Sequence, residues 1–292
     1  MLGEVSPVDV RPSPIAGHWY PGDARTLGAE VDVHLAGAGA VKADGAIVAL
    51  VAPHAGHRYS GAVAGHAFAV ARGLRPEVVA VVGPMHYPLE GAVLTSGHGA
   101  YQTPLGPVAI AREACRVLDD AVRRELPGGL TPVRNDPEHS IEIELPFLQR
   151  VLPEEWRLLP VMVRDQRREV ARALGLALAV ALRDRAALLV ASTDLSHYHP
   201  QAAANRLDRE LLRRVEAFDP DAVLRAEQEG AGEACGIGAL AAVLWAAREL
   251  GADRVRVLDY ATSGDVTGDL DRVVGYAAGV VTRATAARGG AA

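Results

Sequence analysis

The strongest constraint on this chain is an alternation of two kinds of apolar segment. Short runs, Ile47 to Ala52, Val78 to Val82, Leu158 to Val163 and Ala187 to Ala191, carry no polar residue on either alternate face. They read as strands covered on both sides. Val108 to Ile110, Arg254 to Tyr260 and Val273 to Val281 read as further strands. Between them lie alanine- and leucine-rich stretches of helical period. Asp23 is placed to cap a helix whose Leu27, Val31 and Leu35 recur at every fourth position. Ser60 to Ala71, Arg112 to Arg124, Arg167 to Arg183, Gln201 to Ala217, Pro220 to Glu227 and Ile237 to Leu250 are read as helices in the same way.

Strands joined by helices of roughly 10 to 17 residues need crossover connections. The expected architecture is therefore α/β, with a mostly parallel or mixed central sheet flanked by helices. No repeat, linker or break in composition divides the chain, so a single domain over residues 8–283 is expected, with a disordered tail over 284–292. The Pro- and Gly-rich stretch Leu126 to Asn135 is read as a loop, and Ser140 as the cap of the helix after it. Cys115 is expected on the apolar face of its helix.

Composition removes several classes of function. The net charge is −6, and no basic cluster is interleaved with aromatics, so a nucleic-acid partner is not expected. No apolar run reaches the roughly 18 residues of a membrane span, and no membrane partner is expected. The start of the chain lacks a basic leader and an apolar segment, which points to the cytoplasm. Two cysteines, 120 positions apart, are no disulfide framework. Their thiols must serve packing or chemistry.

Three apolar strands are each followed closely by a histidine: His54, His86 and His197. In a wound α/β sheet, ligands bind beyond the carboxyl ends of the strands, because the loops there converge on one crevice. One site shared by the three imidazoles is the reading that follows. Asp194 precedes His197 by three positions, where one turn would bring both side chains together as an acid-base pair, the carboxylate orienting the ring. Its alternative is a cap for the next turn. Cys235 stands directly before a helix, whose N-terminal dipole favours thiolate. Metal ligand and nucleophile both remain open for it, beside the commoner buried structural cysteine.

As a ligand, Cys235 would complete a three-donor site with His54 and His86, selecting zinc, copper or iron over magnesium or calcium. His139, at an expected helix start, faces either the crevice or solvent, and His18 and Trp19 pack on the core or roof the site. Tyr59 and Asp265 join them as expected pocket lining. The segment Gly264 to Asp269 lacks the terminal glutamate of a calcium loop and reads as a hairpin or lining turn. His57, His66, His98 and His199 receive no role. No dinucleotide, phosphate-loop or nucleophile-elbow motif is present.

The segments Pro14 to Pro21, Ala52 to Gly61, Gly83-Pro84-Met85-His86, Glu138 to Glu142, Ser192 to His197 and Ser263 to Val266 resemble, in order, the motifs of the Memo family. The resemblance runs from about residue 10 to residue 281. It implies the fold of the class III extradiol dioxygenases, whose non-haem iron is held by two histidines and a glutamate at a sheet edge. Carried over by position, the Memo pattern implies metal ligands at His54, His86 and Cys235, with Asp194 and His197 beside them. Cys235 takes the place of the dioxygenase carboxylate, which makes the site softer and suits copper or a thiolate-tuned iron. The prokaryotic branch, called AmmeMemoRadiSam system protein B, is associated with an AMMECR-type and a radical SAM protein, which implies those partners.

The expected function is a non-haem iron or copper redox or oxygenase-type enzyme acting on a small molecule or peptide, with His197 as general base and Asp194 orienting it. Two rivals stand beside it: a non-catalytic module that binds a peptide or protein in the same pocket, and a zinc-dependent hydrolase. A cysteine-nucleophile enzyme ranks last.

Overall fold

The computed structural model of the chain describes residues 9–40 and 42–284. The expected domain start at residue 8 and the expected tail from 285 onward lie outside the described residues. The chain begins with β1 (Val10–Arg11), α1 (Ala24–Gly37), β2 (Ala46–Ala52), α2 (His57–Ala69) and β3 (Val78–Pro84). Short strands follow, β4 (Val93–Ser96), β5 (Ala100–Thr103) and β6 (Gly106–Ala109), then α3 (Arg112–Val122) and β7 (Leu130–Val133). A 3-10 turn (Glu142–Glu144) leads into α4 (Leu145–Val151), β8 (Arg157–Val163), α5 (Arg168–Leu182) and β9 (Ala187–Ser192). The last part holds β10 (His197–His199), α6 (Gln201–Glu216), α7 (Pro220–Gln228), α8 (Ile237–Glu249), β11 (Arg254–Thr262), α9 (Ser263–Thr267) and β12 (Val273–Arg283).

Nine strands form the central sheet, in the order β10-β12-β2-β9-β3-β8-β4-β7, with β11 also on β12. Its centre, β2, β9, β3 and β8, is parallel; β12 and β4 run antiparallel to their neighbours β2 and β8. The sheet is thus mixed around a parallel heart, as the doubly buried runs require. Ala52 lies opposite Ser192, and Val82 opposite Ala191, so β2, β9 and β3 end level with one another. That shared level brings the residues after them to one place.

Side-chain alternation sends the two faces of β3 into two cores. Ala80 and Val82 pack with α5 and α8 through Leu174, Leu178 and Val243, while Val79 and Val81 pack with α1, α2 and α4 through Leu27, Phe68 and Phe147. Helix α1 starts where Asp23 accepts a hydrogen bond from the Thr26 N–H at 2.9 Å, and it buries Leu27, Val31 and Leu35. Each such side chain contributes roughly 1.5–3 kcal/mol by leaving water. Cys115 packs against both cores, where burial pushes its thiol up to about 11.

Three readings need correction. The stretch from Leu126 contains β7, which pairs with β4 at the edge of the sheet. Ser140 does not cap a helix; its hydroxyl donates to the Pro84 carbonyl at 2.8 Å, tying the loop to the end of β3. The polar segment after Thr262 is not a hairpin but the short helix α9, closed by a capping box between Thr262 and Asp265, and Ser263, Thr267 and Asp269 of this segment do line a cavity, as expected of a lining turn.

A second sheet, β1-β5-β6, delivers Arg11 to the interior, its guanidinium over the ring of Tyr101 at 4.6 Å. Fully buried, Arg11 donates to both carboxyl oxygens of Asp136, to Glu142 and to the Glu138 carbonyl. Among the described residues, no helix is long and apolar enough to cross a membrane.

Candidate metal centre

His54 follows β2 after Pro53, and His86 follows β3 after Met85. A third imidazole, His139, arrives from the loop between β7 and α4. One ring nitrogen from each of these histidines lies within 4.8 Å of the other two. The His86 and His139 rings stack, 4.7 Å apart and 12° from parallel, and the His54 ring stands 88° to both at 5.3 Å. Three donor nitrogens converging in this way can hold a metal ion.

Two of the rings are held from behind by hydrogen bonds. The Ser192 hydroxyl donates to the Ser140 carbonyl at 2.6 Å, so its oxygen is left to accept the His54 Nδ1–H at 3.0 Å. That leaves Nε2 of His54 bare, facing the Cys235 sulfur at 3.1 Å. His86 Nδ1 donates to Glu138 at 3.0 Å, and the same carboxylate accepts the backbone N–H groups of His86, His139 and Ser140. Such outer partners fix tautomer and orientation in metal sites. Burial opposes ionisation of Glu138, but the His86 hydrogen bond and the backbone donor hold its carboxyl down at about 2. Burial lowers His139 to about 4 and His54 well below the usual imidazole range, so both are neutral ligands at pH 7.

Cys235 sits in the turn before α8. Gln166 clamps that turn, its amide donating to the Cys235 carbonyl at 2.6 Å and accepting the Gly238 N–H at 2.8 Å. A Cβ on Gly236 would come within 2.9 Å of the Ser192 carbonyl, so this turn needs glycine to lie against β9. The helix start does not make the free thiol acidic. Burial and the neighbouring Asp194 push it well up, and they outweigh the dipole although an edge of the side chain reaches the cavity. A bound cation would reverse that balance, since coordination deprotonates a thiol.

Asp194 does not orient His197. Residues 193–196 form no helical turn, β10 starts at His197, and the two side chains, though both line one cavity, bond to other partners. Asp194 instead accepts the His54 N–H at 2.7 Å, and burial raises its carboxyl to about 7. His197 is oriented by its own loop: Nδ1–H donates to the Leu195 carbonyl at 2.8 Å, leaving Nε2 free. Burial lowers its pKa, which suits a proton acceptor at neutral pH.

These residues line a cavity of about 900 Å³, walled further by His18, Trp19, Tyr59, Tyr198 and Tyr276. Asp265 is not among the lining residues, because its carboxylate turns back to cap α9. The histidines without an assigned role make outlying pairs, His57 with Glu30, His66 with Asp259, His98 with Asp9 and His199 with Glu233. A cavity of about 850 Å³ at the opposite strand ends, against Val78 and Ala111, contains no histidine or cysteine. Sequence reading missed Glu138, Ser192 and Gln166, whose partners lie 52, 138 and 69 positions away. The one local signal was Glu138 beside a histidine.

Residues 11–280 match the family described as Memo-like protein. The chain is 38% identical over 286 residues to a MEMO1 family protein of Methanopyrus kandleri, covering 92% of this chain and 98% of that protein. It is 37% identical to one of Methanothermobacter thermautotrophicus, over 92% and 99%, and 32% identical to one of Nitrosopumilus maritimus, over 92% and 98%. Together with the α/β architecture and the ordered motifs from Pro14 to Val266, matches that span nearly all of each protein show that this chain belongs to the Memo family.

Proposed function

We propose that this chain is a metal-dependent redox protein that holds iron or copper on His54, His86 and His139, with the Cys235 sulfur as a further donor beside His54. The observation that carries the reading is the convergence of three imidazoles at one cavity wall, each fixed by its neighbours. Imidazole with a thiol favours copper, iron or zinc over hard cations, and a thiolate donor favours the redox-active members of that set. The set implied by the family motifs, His54, His86 and Cys235, shares two imidazoles and the thiol with this one.

When bound, the ion supplies electron exchange and Lewis acidity toward a small molecule or peptide in the cavity. The rest falls to the chain's own side chains. His197 takes a proton at Nε2, Glu138 and Ser192 keep the His86 and His54 rings oriented, and Trp19, Tyr59 and Tyr276 supply an aromatic wall for the bound molecule. A second reading, zinc-dependent hydrolysis, is favoured by the same three imidazoles with a free His197 nitrogen close by, an arrangement that suits an activated water.

The test is elemental analysis of protein purified without added metal and without oxygen, as wild type and as His86→Ala, His139→Ala and Cys235→Ala. Stoichiometric iron or copper that is lost in both histidine variants is the expected result. Folded histidine variants that keep full metal content would sink the assignment. Zinc in wild type, with no oxygen uptake under any reductant, would transfer it to hydrolysis.

A further inference from the structure

Glu144 closes the 3-10 turn ahead of α4, and its carboxyl group is buried with both oxygens lacking a hydrogen-bond partner. A carboxyl group left in that state costs stability whether neutral or ionised, most of all when ionised. Nothing in the packing of α4 requires it, since Ile143 and Leu145 on either side are ordinary core residues. Its place in the fold suggests its use. The hydroxyl that acts on it is Ser192, the same hydroxyl that receives the His54 Nδ1–H, and the charged neighbour that acts on it is Asp194. Glu142, on the same turn, is committed to Arg11, Ser13 and Tyr20.

We propose that Glu144 is a positioning residue for the metal centre, acting through Ser192 on His54 when a cation arrives. The inference rests on the metal-binding reading above. In the cation-free protein Ser192 donates to the Ser140 carbonyl, and Glu144 stays protonated in its apolar setting, which burial favours. A divalent charge on His54 Nε2 makes the Nδ1–H a stronger donor and favours negative charge behind it. Glu144 then loses its proton to solvent. The Ser192 O–H turns from the Ser140 carbonyl to the new carboxylate, and an unbroken chain runs from His54 Nδ1–H through Ser192 Oγ–H to Glu144. One proton leaves, no electron moves, and no bond between heavy atoms changes.

The experiment counts protons released on Zn²⁺ binding. Calorimetric titrations in two buffers of different ionisation enthalpy, in mildly alkaline solution, would compare wild type, Glu144→Gln, Ser192→Ala and His86→Ala. Infrared difference spectra would follow the carbonyl stretch of a protonated carboxylic acid. Wild type is expected to release about one proton more per ion than Glu144→Gln, with loss of a carboxylic-acid band that the Gln variant lacks. Ser192→Ala, which removes the link while leaving the acid in place, should show the same deficit. Equal proton release in wild type and in either variant would overturn the inference and leave the metal site standing. Zn²⁺ binding that is absent in wild type, or unchanged in His86→Ala, would overturn the metal-binding reading and this inference together.

Discussion

Two of the three clustered histidines are held by the sheet and the third by a loop, and the two supports differ in kind. His54 and His86 stand just beyond β2 and β3, whose ends are set level by backbone pairing with β9. Their placement follows from the parallel ladder, and it tolerates variation in the strand side chains as long as they stay apolar. His139 has no ladder beneath it. Its loop, from Asp136 to Glu142, is fastened by Arg11, which reaches it from more than 120 positions away. A metal centre spanning these supports is only as rigid as the weaker one, and the loop hangs on the Arg11 guanidinium together with side-chain ties from Ser140 to the Pro84 carbonyl and from Ser192 to the Ser140 carbonyl.

The largest expected effect breaks that fastening. Arg11→Ala leaves Asp136 and Glu142 buried without their cation, a change that typically costs about 3–5 kcal/mol. Urea unfolding should show the loss, and metal affinity should fall because His139 is released. His54→Ala should behave in the opposite way, losing metal while keeping most of its stability. If Arg11→Ala were as stable as wild type, the ties through Glu138, Ser140 and Ser192 would be holding the loop without the guanidinium.

The same contrast explains what could be read from residues alone. Runs such as Val78 to Val82 announce their strands because a parallel strand buried on both faces has no polar positions, and the histidines beyond them announce a site. The stretch Leu126 to Asn135 reads as a loop because it is rich in proline and glycine, yet an edge strand tolerates a proline such as Pro132, and β7 is an edge. The strands β4 and β5 are four residues each, too short for a periodic signal. His139 could be read either way, because its direction depends on Arg11 and Glu138, and contacts at that separation leave no pattern in the chain. The pairing of Asp194 with His197 failed for a local reason: residues 193–196 form no turn where one was expected.

A smaller effect sharpens the comparison at the carboxylate that touches both supports. Glu138 accepts from His86 on the strand side and from the His139 backbone on the loop side. Glu138→Gln should lower metal affinity by about 10–100-fold, measured by competition with a chelator, with little change in fold. An unchanged affinity would mean that His86 is oriented by packing against His139 alone.

Next is the seam itself. Gly83, near the end of β3, lies so close to the loop that a Cβ would come within 2.7 Å of the Ser140 hydroxyl. Gly83→Ala should cost about 1–3 kcal/mol by forcing the loop outward, the usual range for overpacking a filled interior. The thermal midpoint would report it. A neutral outcome would show that the loop can slide on the strand, contrary to a rigid junction.

The smallest effect is a near-cancellation, and it separates the two supports by sign. In metal-free protein, His139 titrates at about 4, below its value of 6.5 in the open chain. The unfolded state therefore takes up a proton first, and stability from this group falls as pH drops from 6.5 to 4. Asp194 titrates at about 7, above its open-chain value of 3.8. There the folded state takes up the proton first, and stability from this group rises as pH drops across the same range. The contributions are of similar size, about 3 kcal/mol for His139 and about 4 kcal/mol for Asp194 at full extent, so wild type should lose little at these two groups on mild acidification. Asp194→Asn removes the gain and keeps the loss. Its denaturation midpoint, measured with chelator present, should fall steeply between pH 6.5 and 4, whereas that of His139→Gln should fall less than that of wild type, because one of the two depressed imidazoles is gone. Parallel pH profiles for the two variants would show that the strand-end carboxyl and the loop imidazole titrate as one unit, and that the site has one support where the geometry assigns it two.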